Sequence, residues 1–312
     1  MSTRFDPMTF DPDAAAPAES GLFGLPFSPE DSRVVVVPVP FEATTSYGGG
    51  TSRGPAAMLE ASRQIDLYDH ETGEPYRRGI AMLPIPAEVE EWGASAKRLA
   101  GPVIEAGGPG DDPALRKAVG AVNALSEKMN GWVYAETSRW LDAGRMPVVL
   151  GGDHSVPFGA IRAWAERHPG LGILHLDAHA DLRAAFEGFT WSHASIFHNV
   201  MTRIPEVGKL VQVGLRDLGR SEKQMIDASG GRIVPFYDSD LAAEKERGTG
   251  WAELADRIVA ALPPTVYLSW DIDGLDPTLC PSTGTPVPGG LGWNEAIGLL
   301  RALIRGNRRI VG

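Results

Sequence analysis

The stretch LGILHLDAHAD, residues 171–181, carries the reading of this chain. Its first six residues are apolar or glycine except for His175. A short apolar run without polar alternation fits a strand covered on both faces, and such strands belong to parallel sheets. Asp177, His179 and Asp181 then follow at every second position. If extended geometry persists, alternate side chains face the same way. Two carboxylates and an imidazole then meet at the carboxyl end of the strand.

Two more apolar runs end in the same manner. VVLGGDHS, residues 148–155, offers His154, and VYLSWDID, residues 266–273, offers Asp271 and Asp273. Further strands are read at residues 34–37, 147–150, 210–213, 233–235 and 310–311. Helices are read at 158–167, 220–228, 251–261 and 293–305. A helix opens at Pro55 and runs through Ser62, and a longer one opens at Asp112-Pro113. The longer helix carries Leu115, Val119, Val122, Leu125, Met129, Val133 and Trp140 at helical spacing and stops at Gly144. Residues 84–113 read as irregular, because Gly-Pro and Pro-Gly pairs interrupt them. Alternating strands and helices predict an α/β fold of three layers, α/β/α, around a mostly parallel central sheet. Residues 1–32, rich in Pro, Asp and Ala, are expected to form an extended arm over the surface or a neighbouring subunit. Residues 33–312 are expected to form one domain.

Composition narrows the partners. The net charge is -11, which disfavours nucleic acid and an anionic membrane surface and suits a cationic small molecule. No apolar run reaches the length of a membrane span, and no secretory signal is read at the N-terminus. Cys280 is the single cysteine, which points to a reducing, cytoplasmic compartment. In open α/β sheets, ligands bind beyond the carboxyl ends of the strands, where all three polar clusters fall. Carboxylates crowded there repel unless a cation joins them. Six groups, His154, Asp177, His179, Asp181, Asp271 and Asp273, are too many for one open catalytic ion. They suit two divalent ions with bridging carboxylates. A set of oxygens with two imidazoles fits Mn²⁺ best, with Ni²⁺, Co²⁺ or Fe²⁺ as alternatives.

GGDHS (151–155), DAHAD (177–181) and SWDIDGLDP (269–277) resemble the three signatures of the ureohydrolases, the arginase and agmatinase family. The segments GGTSRGP (49–55) and STGTPVPGG (282–290) are also similar to family segments. The resemblance runs from about Val34 to the C-terminus, and residues 84–144 remind more of an agmatinase-like branch that includes guanidine hydrolases. It implies an arginase-like fold and a partition of the ligands. His154, Asp177, Asp181 and Asp271 would hold one ion. Asp177, His179, Asp271 and Asp273 would hold the other, with Asp177 and Asp271 bridging.

The resulting expectation is binuclear hydrolysis of a small guanidino compound: agmatine-like, a guanidino acid or guanidine itself. A hydroxide shared by the ions attacks the guanidinium carbon, Asp181 accepts its hydrogen bond, and urea leaves with an amine or ammonia. By resemblance, His193 in WSHASIF (191–197) delivers the proton to the leaving nitrogen. The family also implies a trimer or hexamer. It carries a substrate-pairing glutamate on or beyond its final strand. Here that strand is residues 309–312 and no residue matches, so the chain is expected to be truncated. The missing partner costs about 2–4 kcal/mol of substrate stabilisation. A non-catalytic metal-binding subunit is the alternative function. A single-metal amide deacetylase on a related fold is a third reading, separated by metal stoichiometry. His175 is read as buried and structural rather than as a ligand, and Asp153 as a residue that orients backbone. Glu42 is left unassigned.

Overall fold

The computed structural model describes residues 10–312. The first nine residues of the expected arm lie outside the described part. The described remainder is tied down: Leu22 and Leu25 are buried, the Phe23 N–H donates to the Ser62 hydroxyl at 2.9 Å, and Arg63 donates to the Ser20 carbonyl.

The strands are β1 (Val34–Val39), β2 (Ile80–Met82), β3 (Met146–Gly151), β4 (Leu171–Leu176), β5 (Val207–Leu215), β6 (Ile233–Tyr237), β7 (Thr265–Trp270) and β8 (Arg309–Ile310). Every ladder between them is parallel. The hydrogen bonds divide them into two sheets, β2-β1-β3 and β6-β5-β4-β7-β8, rather than the single one expected. The end strand β8 has two residues and pairs only with Thr265 and Val266 of β7.

The helices are α1 (Gly54–Ala61), α2 (Ala87–Glu105), α3 (Pro113–Asp142), α4 (Phe158–Arg167), α5 (Ile196–Arg203), α6 (Arg220–Ala228), α7 (Asp238–Glu246), α8 (Trp251–Ala260) and α9 (Trp293–Arg305). They cover both sheet faces. Alternation along β4 sends Leu171 and Ile173 toward Ile161 and Trp164 of α4 and Phe197 and Val200 of α5. It sends Leu174 and Leu176 into a second core with Leu254 and Ile258 of α8 and Leu299 and Leu303 of α9. A third core joins Val35, Val37 and Val39 of β1 to α2 and α3. Each fully buried aliphatic side chain stabilises by about 1.5–3 kcal/mol, so the two-sided burial of β4 makes it the anchor of the fold.

The opening of α3 follows its sequence. The Asp112 carboxylate accepts from the Ala114 N–H at 2.7 Å, with Pro113 in the first turn. The irregular reading of residues 84–113 is overturned by α2. Its buried positions, Val89, Gly93, Ala96, Ala100 and Val103, do recur at helical spacing, but they are mostly small. Small residues give a weak apolar signal, yet they let α2 approach the segment that follows β1 closely. A Cβ on Gly93 would lie 3.3 Å from the Phe41 backbone. Pro102 is carried inside the helix because packing outweighs one lost hydrogen bond. Strand β2 and helices α5 and α7 also went unread.

Candidate metal centre

The clusters after β4 and β7 follow neighbouring parallel strands of one sheet, and the His154 cluster follows β3 of the other. The alternation argued from sequence does not deliver them. β4 ends at Leu176 and β7 at Trp270, before the first carboxylate in each case. Asp271 is followed by a 3₁₀ turn, Ile272–Gly274, and its carboxylate accepts from the Asp273 N–H at 3.1 Å. Asp181 takes φ 54, a left-handed conformation that aspartate adopts more readily than most residues. Its carbonyl accepts from the Phe197 N–H at 3.0 Å, which holds the bend. The convergence is therefore made by three short loops.

Two glycines let these loops meet. A Cβ on Gly152 would lie 2.0 Å from the Phe41 carbonyl oxygen, so the turn that carries His154 needs a residue without one. A Cβ on Gly274 would lie 2.7 Å from the Asp177 nitrogen, where the turn after β7 packs on the loop after β4. Asp153 braces the first loop, accepting from the Ala43 N–H at 3.1 Å and the Ser155 N–H at 2.9 Å. That is the orienting role expected of it.

The six predicted residues come together around two points. His154 Nδ1 faces three carboxylate oxygens, from Asp177 at 2.9 Å, Asp181 at 3.1 Å and Asp271 at 3.3 Å. His179 Nδ1 faces Asp177 at 3.4 Å and Asp273 at 3.1 Å. Asp177 turns Oδ2 to the first point and Oδ1 to the second. Among the described residues, donor atoms within 4.8 Å of one another form two groups: His154, His175, Asp177 and Asp181, and Asp177, His179 and Asp273. These groups include His175, which sequence reasoning set apart, and omit Asp271.

One ring N–H cannot serve three carboxylates at once. The donor set fits a divalent cation at each point: oxygen-rich, completed by imidazole, and without sulfur. The titration behaviour agrees. Burial would raise Asp177, but His175, His154 and His179 outweigh it and hold the carboxyl well below the usual range. Burial, and then the charge of Asp177, push Asp181 and Asp273 each up to about 7. Burial opposes a proton on His179, yet its bonds to Asp177 and Asp273 carry it up to about 11. His154 is likewise raised, against burial, by Asp177, Asp181 and Asp271. Without ions, protons do the work of positive charge.

This sets an expected pH dependence for the ion-stripped chain. Asp181 and Asp273 hold protons in the folded state that the unfolded chain has released by about pH 4. Their contribution is complete below that and is lost as pH rises through about 7. His179 acts in the same direction, losing its contribution as pH rises from the ordinary imidazole value toward about 11. Burial lowers His175 and His193, which act in the opposite sense only up to the ordinary imidazole value, so the melting temperature of the stripped chain should fall between about pH 7 and pH 8. Added Mn²⁺ should raise it more at the upper pH, since fewer protons must then be displaced. Scanning fluorimetry across that range checks both signs. A Mn²⁺ gain that is the same at both pH values speaks against ion–proton exchange here.

His193 stands beside the cluster in a 3₁₀ turn, His193–Ser195. Burial lowers its pKa, with Asp153, Asp271, His179 and His154 close enough to act on it. Its Nδ1 is 3.0 Å from the Thr44 hydroxyl, which also accepts the His193 backbone N–H at 3.2 Å. The Phe186 ring meets it edge-on at 5.7 Å. Thr44 is held by a loop built around Glu42. That carboxylate is 6% exposed and accepts from the Thr45 hydroxyl and from the Gly50 and Ser52 N–H groups. Burial opposes its charge, yet these bonds and Lys97 bring it down to about 2. Sequence reasoning also missed Ser269, whose hydroxyl is 2.9 Å from His154 Nε2. Its position two residues before Asp271 was the available signal. Thr44 carried no such signal.

A three-layer α/β fold with a buried carboxylate–imidazole cluster beyond parallel strand ends has the make-up of a metal-binding α/β protein, with its site where such sheets bind ligands. A family model described as "Arginase family" matches residues 32–312. The N(1)-aminopropylagmatine ureohydrolase of Thermus thermophilus is 36% identical over 294 residues, which covers 93% of this chain and 84% of that protein. The proclavaminate amidinohydrolase of Streptomyces clavuligerus is 32% identical, covering 89% of this chain and 79% of its own length. The crystal structure of the agmatine ureohydrolase of Thermoplasma volcanium superposes with a TM-score of 0.67 at 21% identity, over 91% of this chain and 82% of that one. The chain belongs to the arginase family. It is a hydrolase of the ureohydrolase type, the enzymes that cleave C–N bonds in amidino compounds. No described helix is long and apolar enough to cross a membrane.

Proposed function

We propose that this chain hydrolyses a small guanidino compound, agmatine-like, a guanidino acid or guanidine itself, to urea plus an amine or ammonia. The observation that carries the reading is the convergence of carboxylate oxygens on His154 Nδ1 and His179 Nδ1, with Asp177 shared between them. His154, Asp177, Asp181 and Asp271 would hold one divalent ion, and Asp177, His179, Asp271 and Asp273 a second. Mn²⁺ is the first choice and Ni²⁺ the alternative. When bound, the ions supply an acidified water and stabilise negative charge developing at the reacting carbon.

The residues of the chain do the rest. The carboxylates orient the attacking oxygen against the guanidinium carbon, which is a poor electrophile and gains most from alignment. Asp181, a carboxylate when the ions are bound, accepts the hydrogen bond of the attacking water. The attacking water, its proton given up to solvent, forms the C–O bond, the C–N bond to the amine breaks, and the leaving nitrogen takes a proton from His193. Thr44 keeps that ring in register through either protonation state, because a hydroxyl donates or accepts by rotating. The acidic balance of the chain, net -11, favours a cationic substrate. By the same resemblance, the chain is proposed to assemble as a trimer or hexamer, which light scattering would check.

The test is urea release from agmatine, aminopropylagmatine, guanidino acids and guanidine by the chain loaded with Mn²⁺ or Ni²⁺, with metal content measured alongside. Urea from at least one compound, dependent on about two ions per chain, is the expected result. No urea from any of them by a fully loaded chain would overturn the proposal.

A further inference from the structure

β5 carries an amide where its neighbours are apolar. In Leu210, Val211, Gln212 and Val213, the Gln212 side chain is 0% exposed. Its Nε2 lies 2.8 Å from the Ala180 carbonyl oxygen and 3.0 Å from His175 Nδ1. A carbonyl only accepts, so the atom facing it is the NH₂ group, and its second hydrogen points at His175 Nδ1. That ring nitrogen must then be the acceptor. A neutral imidazole that accepts on one nitrogen donates from the other. The donor is Nε2, 2.8 Å from Asp177 Oδ2. Gln212 Oε1 has no hydrogen-bond partner among the described residues, so the amide is held there by its two N–H groups alone.

We infer that Gln212 is a positioning residue for the metal centre: it sets His175 as an N–H donor that fixes the Asp177 carboxylate. The inference rests on the metal-binding reading above. It explains why His175, although its ring lies among the donor atoms of the first group, presents a hydrogen rather than a lone pair. The same amide holds the carbonyl of Ala180, next to Asp181 in its left-handed bend. One side chain on β5 thus steadies two of the carboxylates. His175 is packed against Phe197, with ring centroids 4.1 Å apart, so it has no room to turn away. Partners that orient ligands in this way typically change metal affinity by about 10–100-fold.

The experiment is calorimetric titration of Mn²⁺ into the ion-stripped full chain, with melting in chelator to confirm that each variant folds. Gln212→Met keeps the volume and removes both donors. Gln212→Glu keeps the shape and also removes the donor that faces Ala180. Each should weaken Mn²⁺ binding by about 10–100-fold. In a His175→Phe background, which retains the ring contact with Phe197, Gln212→Met should add only a few-fold on top, because the route through the imidazole is already lost. Two results overturn the inference while leaving the metal reading intact. One is unchanged affinity in the Gln212 variants that fold. The other is the full factor appearing again in the His175→Phe background. A parent chain that takes up no Mn²⁺ would instead remove the metal reading, and this inference with it.

Discussion

Asp177→Asn should abolish loading of the centre and, with it, urea formation. The substitution keeps the size of the side chain, removes its charge and turns one of its two accepting oxygens into a donor. Asp177 is 1% exposed and meets His154, His175 and His179 within 3.4 Å. Removing one partner from a buried charge cluster costs about 3–5 kcal/mol. Expressed as ion affinity, that is about 10²–10⁴-fold, and both ions are affected because the residue serves both points. Urea formation at micromolar metal should fall by at least the same factor. Metal content after dialysis and calorimetric titration read the loss directly, and a preserved circular dichroism spectrum separates it from unfolding. A second signature follows from the charge balance. Burial and the negative charge of Asp177 push Asp181 and Asp273 up to about 7. In the variant the charge is gone, so both should titrate lower. A variant that keeps two ions at full affinity would show that the shared carboxylate is not the centre of the site.

His193→Ala should separate chemistry from ion binding. His193 is not among the groups that converge on either point, and its ring is bonded to Thr44 instead. Ion content should therefore stay at the parent value. Loss of a positioned proton donor typically costs about 10²–10⁴-fold in rate, so kcat should fall in that range with KM little changed. Burial holds the pKa of this imidazole below the ordinary value. The parent's alkaline limb, where activity falls as the ring loses its proton, should therefore lie at lower pH than for an ordinary histidine, and it should vanish in the variant. Thr44→Val should give a smaller loss of the same kind, because the ring remains but loses its hydroxyl partner. Equal kcat in parent and His193→Ala would require another source for the leaving-group proton.

Much of the layered core was legible because burial writes itself into composition. β4 occupies the predicted residues 171–176, and α4, α6 and α9 occupy theirs. Each pairs a strong apolar period with clear end signals. α2 stayed hidden because Ala and Gly form its buried face, and small side chains carry little hydrophobic contrast. The six acidic and imidazole groups were legible as residues, since polar clusters directly after apolar strands have few structural uses. Their convergence was argued from strand alternation, and that argument does not describe the molecule. The strands end first, and three loops perform the gathering.

What the amino-acid order determined by itself was local: which segments pair as buried strands, which carry helix-forming periodicity, and which side chains have the chemistry to hold divalent ions. Those properties depend on near neighbours along the chain, so they survive being read in one dimension. Only the folded chain decided how the donors share their partners: Ser269 on His154, Thr44 on His193, and Gln212 reaching from β5 to His175. These contacts join residues 115, 149 and 37 positions apart. A hydrogen bond needs atoms placed to within a few tenths of an ångström, and packing of the layers, not spacing in the sequence, sets positions that finely.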